Sequence, residues 1–183
     1  MSEEMLVCHC SPTLAGLKTG SLFSCPYSSQ KMIIKEIREF NQKLTQKGIR
    51  IIPVRISDKR MLVYVYRPEK LKEDFSDEKT QIILKCKGYD CTNLSQCICR
   101  LIQKLQSDPD FPHEIGLFLG YPAEDVKGFI ENKAACSKCS GCWKVYGDEQ
   151  AARILFKKYK KCTEIYCRRW KSGVADEQLT ITI

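Results

Sequence analysis

The stretch Ile49-Arg50-Ile51-Ile52-Pro53-Val54-Arg55-Ile56, then Ser57-Asp58-Lys59-Arg60, then Met61-Leu62-Val63-Tyr64-Val65-Tyr66 decides the fold. Two runs rich in Ile, Val and Tyr flank a short polar turn, which is the pattern of a β-hairpin. Proline has no N–H to give a ladder, so Pro53 puts the first strand at a sheet edge. The second run is apolar throughout and reads as a central strand. Immediately upstream, Ser28 to Lys47 carries Ile33, Ile37, Phe40 and Leu44 at 4-3-4 spacing, an amphipathic helix that Gly48 stops.

Working outward, Ser11-Pro12 reads as an N-cap and first helical position, and Gly20 to Ser24 as a short strand. Pro68 to Phe75 and Ser76 to Lys87 read as short helices, the second stopped by Gly88. Asn93 with Gln96 forms a capping box for a helix from Leu94 to Ser107, ended by Pro109 and Pro112. Ile115 to Leu119 is expected as a strand. Gly120-Tyr121-Pro122 then turns into a helix through Ile130. A loop from Cys136 to Gly141, a strand from Trp143 to Tyr146, a helix from Asp148 to Lys171 and a closing strand from Leu179 to Ile183 complete the chain. The expected class is α/β or α+β: a small mixed sheet with a hairpin, packed by helices, with a long amphipathic C-terminal helix. Residues 1–183 read as a single domain, and residues 133–183 as its Cys-rich extension.

The composition supports a packed domain. Of 183 residues, 43% are hydrophobic and 28% charged, enough apolar side chain for a core and unlike a disordered chain. No apolar run is long enough to span a membrane, and the acidic start Met-Ser-Glu-Glu-Met is unlike a signal peptide. A cytoplasmic location is expected. The net charge of +8 sits largely between Ala151 and Lys171, where eight basic residues meet one acid, Glu164. Arg153, Lys157, Lys160, Lys161 and Arg168 share one face of that helix. A stripe this narrow argues against general nucleic-acid affinity and suits a solvated face or an acidic protein partner.

Twelve cysteines stand out in a chain read as cytosolic. Cys97 lies on a helix face with Leu94, Leu101 and Leu105, and Cys86 beside Ile82 and Ile83, so both read as core thiols. Cys136-Ser-Lys-Cys139-Ser-Gly-Cys142 differs: two overlapping Cys-x-x-Cys units in a turn-rich loop suit zinc or an iron–sulfur cluster. A fourth ligand is needed. Cys162 and Cys167 point about 140° apart on one helix and cannot grip one ion together. Cys162, in the inward stripe with Leu155, Tyr159 and Tyr166, is the better ligand and equally a core thiol. Cys10 offers a second chemistry. A thiol before a helix start is stabilised as thiolate. His113, oriented by Glu114 or Asp125, would serve it as a base in a thiol enzyme. The turn at Gly120-Tyr121-Pro122 resembles the strand ends at which α/β folds bind ligands. No Walker or dinucleotide motif occurs, so no nucleotide cofactor is expected.

The segments His9-Cys10-Ser-Pro-Thr-Leu-Ala-Gly-Leu-Lys18, Phe111-Pro-His-Glu-Ile-Gly-Leu-Phe-Leu-Gly-Tyr-Pro122, Glu124-Asp125-Val126, Gly128-Phe129-Ile130 and Gly141-Cys-Trp-Lys-Val-Tyr146 resemble domain-of-unknown-function family 3793, a family of anaerobic Gram-positive bacteria. The resemblance implies one family-wide domain and cytosolic life in an anaerobe, and assigns no reaction. From the residues themselves, the leading expectation is a metal held by Cys136, Cys139, Cys142 and Cys162 in a structural or redox role. A thiol enzyme built on Cys10 and an interaction module docking through the basic helix are the alternatives.

Overall fold

A computed structural model describes residues 1–107, 110–174 and 176–182. The chain divides into two compact units, Met1–Glu69 with Tyr159–Ile183, and Lys70–Lys158.

In the first unit the hairpin is as the sequence suggests. Strands β2 (Arg50–Ser57) and β3 (Arg60–Tyr66) pair antiparallel, and β1 (Gly20–Pro26) pairs with the other side of β3, giving the order β1-β3-β2. The three strands are antiparallel throughout, which narrows the expected mixed sheet. Pro53 lies on edge strand β2, where the register shifts between Pro53 and Arg55. Side chains alternate across a pleat, so Met61, Val63 and Val65 of β3 share one face. That face is buried against Leu6, Val7, Cys10 and Leu14 of α1 (Glu3–Leu14) and Ile33, Ile37, Phe40 and Leu44 of α2 (Gln30–Leu44). After α2 a 3-10 turn ends at Gly48, whose φ of 74° suits glycine.

Helix α1 departs from expectation. Its N-cap is Ser2, whose hydroxyl accepts from the Met5 N–H at 3.2 Å, and Pro12 sits inside its last turn. Cys10 is therefore a mid-helix residue, not one preceding a helix start. The apolar set Leu6, Val7, Cys10 and Leu14 drives this outcome by giving residues 3–14 a continuous buried face. The freed end is tied down by Arg67. This buried guanidinium donates to the carbonyls of Thr13 (2.7 Å), Leu14 (2.7 Å), Lys47 (3.0 Å) and Ile181 (2.8 Å). A cation among the last carbonyls of a helix also meets the negative end of its dipole.

The second unit is mostly helical. Helix α3 (Pro68–Ser76) leads into it, followed by α4 (Glu78–Cys86), α5 (Leu94–Ser107), α6 (Ile115–Phe118) and α7 (Ala123–Glu131). Residues 115–118 are a helical turn where a strand was expected. Residues 139–145 form a small antiparallel hairpin, β4 (Cys139–Ser140) with β5 (Lys144–Val145). Helix α8 (Glu149–Lys171) begins here, and from Tyr159 onward it belongs to the first unit. The expected closing strand is instead α9 (Asp176–Leu179) followed by irregular chain, with Ile183 outside the described residues. Pro109, expected to help end α5, also lies outside them.

Candidate functional site

The second unit contains a cavity of about 310 Å³, near the lower end for small-molecule pockets. Its floor is made by the buried residues Ile115, Gly116, Asp125, Val126 and Trp143. Phe111, His113, Ser140 and Cys142 are exposed and form its rim, with Lys144 half-buried beside them. Tyr121 and Phe129 complete the wall. The Tyr121 and Trp143 rings stack at 4.7 Å between centroids, and His113 meets Phe129 edge-on at 5.0 Å.

Asp125 holds this cavity together. Its carboxylate is buried at the start of α7. One oxygen accepts from the Trp143 indole N–H at 2.6 Å, and the other from the N–H groups of Tyr146 and Gly147 at 2.7 Å each. A buried carboxylate needs such partners, because its desolvation is otherwise costly. The hairpin is thereby fastened to α7, and Trp143 is turned onto the cavity floor. Gly128 permits the approach, since a Cβ there would overlap the Tyr146 ring. On the far side Trp143 meets Phe156 of α8 edge-on at 4.6 Å. The motifs around Glu124-Asp125, Gly128 and Gly141–Tyr146 thus have one physical cause: they assemble this corner. Asp125 is fully committed to it and does not orient an imidazole.

Glu114 has a different role from the one expected. It is buried, and its Oε1 accepts from Lys104 Nζ at 2.7 Å and from the Tyr89 hydroxyl at 3.0 Å. The Lys104 ammonium also lies 4.6 Å from the centre of the Tyr89 ring. Burial alone would raise the Glu114 pKa, but the hydrogen bonds and charge of Lys104, with the Tyr89 contact, bring it below the usual carboxylate value. Glu114 is the acid of a structural ion pair joining α5 to α6. Its neighbour His113 faces the cavity.

Cys10 lies in the core of the first unit with none of its surface exposed. Burial pushes its thiol well above the ordinary value and outweighs the nearby Lys18 charge. This is opposite to the activated thiolate expected at a helix start. Its neighbour His9 stacks on Phe23 at 5.0 Å. Cys10 and His113 belong to different units.

The three loop cysteines lie around the small hairpin. Cys136 and Cys142 are exposed, and Cys139 is half-buried. Among the described residues, no three His, Cys, Asp or Glu side chains are grouped so as to hold a metal ion. The loop therefore does not gather its thiols into one ligand set in this conformation. Cys162 is buried in the first unit, where burial pushes its thiol up to about 11, as expected of a core thiol. Cys97 is buried as expected, whereas Cys86 and Ile82 are exposed. On α8, Arg153, Lys157, Lys160, Lys161 and Arg168 are all exposed, opposite buried Ala152, Tyr159 and Cys162.

A family model described as "Protein of unknown function (DUF3793)" matches residues 6–180. The chain belongs to this family. No curated protein and no solved structure matches this DUF3793 chain. No helix among its described residues is long and apolar enough to cross a membrane.

Sequence reasoning found His113, Tyr121 and Cys142 but assigned them to three different schemes. It missed Trp143, Lys144 and Phe129 as partners around one cavity. The signal was the dense pattern of Gly and aromatic residues in both segments, which marks close packing and carries no reactive group.

Proposed function

We propose that the second-unit cavity of this DUF3793 protein binds a small hydrophobic carboxylate. The supporting observation is the cavity itself: aromatic and aliphatic walls from Tyr121, Phe129, Val126 and Trp143, with a single ammonium, Lys144, at its rim. Apolar walls supply affinity and a few polar groups fix orientation. The Asp125 charge on the floor is already answered by three N–H donors, and Lys144, whose ammonium gives one N–H to the Ala134 carbonyl at 2.5 Å, has further N–H groups to orient an anionic end. His113 and Cys142 flank the same opening, so a bound molecule lies beside an imidazole and a thiol. This site replaces Cys10 as the place where thiol chemistry is accessible.

The test is calorimetric titration with 3-phenylpropionate. We expect one saturable site with Kd of about 0.1–1 mM. The neutral analogue 3-phenylpropionamide and the Lys144→Met variant should each weaken binding about tenfold. In a Trp170→Phe background Trp143 is the sole tryptophan, and its fluorescence should change along the same isotherm. Absence of any saturable signal in both measurements overturns the reading.

A second reading keeps the Cys136–Cys142 loop as a metal site formed by rearrangement. In its favour, Lys133, Ala134 and Cys136 hold left-handed φ values of 49°, 65° and 58°, a strained path for non-glycine residues. Titration with Co²⁺ under reducing, anaerobic conditions decides it. An intense near-ultraviolet thiolate-to-metal band lost in Cys139→Ser supports the site, and a spectrum of aquated cobalt alone removes it.

A further inference from the structure

Within the first unit, Cys8 of α1 and Cys167 of α8 bring their sulfur atoms to 3.5 Å although 159 residues separate them in sequence. We propose that these two thiols form a redox-active pair that low-molecular-weight disulfides convert to an intramolecular disulfide.

Several observations select this pair. Cys8 is exposed and Cys167 is half-buried, so a small oxidant reaches them. Each is carried by a helix, and the chain around Cys167 is anchored because Tyr166, Cys167 and Trp170 pack against the unit's core. Bond formation needs about 1.5 Å of closure to the roughly 2.05 Å of a disulfide, within reach of side-chain rotation. The other thiol contacts in the molecule are less suited. Cys25 faces the Met5 thioether at 3.8 Å, which cannot form a disulfide. Cys97, near Cys91, is buried and donates its S–H to the Asp90 carbonyl at 3.0 Å.

The chemistry is thiol–disulfide exchange. Cys167 releases its proton to water, and the thiolate attacks one sulfur of a disulfide RS–SR. This forms a mixed disulfide and expels RS⁻, which takes up a proton. Cys8 then loses its proton and attacks the Cys167 sulfur, expelling the second RS⁻. The two protein thiols are oxidised and RS–SR is reduced to two RSH. The Cys8 thiol is pushed up to about 11, first by burial and then by Cys167 beside it. Glu4 raises it further and Lys171 opposes this; the Cys8 thiol keeps its proton at neutral pH, and closure accelerates as pH rises.

The full chain, reduced and then equilibrated with oxidised glutathione, is quenched with N-ethylmaleimide and digested without reductant. We expect the peptide containing Cys8 joined to the peptide containing Cys167 as the dominant crosslink, about tenfold above any other protein disulfide. Cys8→Ser should instead trap glutathione on Cys167. The wild-type map needs no variant to fold. If Cys8 and Cys167 are recovered separately alkylated, or joined to other cysteines in preference to each other, the proposal is overturned.

Discussion

Asp125 satisfies three N–H donors with one carboxylate, so its loss removes an acceptor from each of them in a corner shielded from water. Asp125→Ala should lower stability by about 2–4 kcal/mol, read as a drop in denaturation midpoint followed by Trp143 fluorescence in the Trp170→Phe background. Gly128→Ala, which drives a methyl into Tyr146, should cost about 1–3 kcal/mol in the same assay. The Glu114–Lys104 pair adds a pH dependence with a definite sign. The folded pKa of Glu114 lies below the unfolded value of about 4.3. Its contribution is thus complete above that unfolded value and is lost as pH falls through the folded one. Between pH 5 and 3 the wild type should lose stability more steeply than the Glu114→Gln, Lys104→Met double variant. Identical slopes in pH-resolved denaturation would contradict the assignment. None of these roles was legible in the sequence, where Glu114 looks like any acid beside a histidine and Asp125 like any acid in the first turn of a helix. A carboxylate's role is set by which donors surround it, and tertiary packing decides that.

The secondary-structure elements were far more legible. The hairpin, α2, α5 and α7 follow from apolar spacing and caps, down to the Gln96 N–H on the Asn93 side chain at 3.1 Å. The failures have identifiable causes. Ser11-Pro12 is a strong local start signal, yet the buried face of residues 3–14 outweighs it. Ile115 to Leu119 is too short and too uniformly apolar for periodicity to separate strand from helix. The sheet edge has a protection that the sequence did not disclose: Asn41 of α2 accepts from the Ile51 N–H at 2.9 Å and donates to its carbonyl at 2.7 Å. These are outward-facing groups of edge strand β2, which would otherwise invite another strand. Asn41→Leu should cost about 1–2 kcal/mol and increase concentration-dependent aggregation, measured by denaturation and light scattering. By contrast, Lys157→Glu with Lys161→Glu on the exposed face of α8 should change stability by less than about 0.5 kcal/mol. Retention on immobilised nucleic acid should be equally low before and after that change. Strong salt-sensitive retention of the wild type alone would reveal a nucleic-acid surface.

Across the whole molecule, none of the twelve cysteines is in a disulfide, and their accessibilities differ widely. A native thiol titration with a bulky aromatic disulfide should be multiphasic. Cys86, Cys99, Cys136 and Cys142 are exposed and should react first, exposed Cys8 more slowly because its thiol is pushed up to about 11, while Cys10, Cys25, Cys97 and Cys162 should wait for unfolding. Rapid labelling of Cys10 in the native protein, located by peptide mapping, would restore the thiol-enzyme reading built on it. The sequence also gave little sign of the division into units, because no linker marks it. The first unit is assembled from Met1–Glu69 and Tyr159–Ile183, with the contiguous segment Lys70–Lys158 lying between them in the chain. That interruption imposes an order on biosynthesis. Residues 70–158 leave the ribosome as an unbroken run and have every native partner of their own unit available before translation reaches residue 159. The N-terminal sheet must meanwhile persist without Tyr166, Trp170 and the Ile181 carbonyl that Arg67 grips. At about 5–20 residues per second, this leaves the half-built unit exposed for several seconds, the interval in which a chaperone would find it.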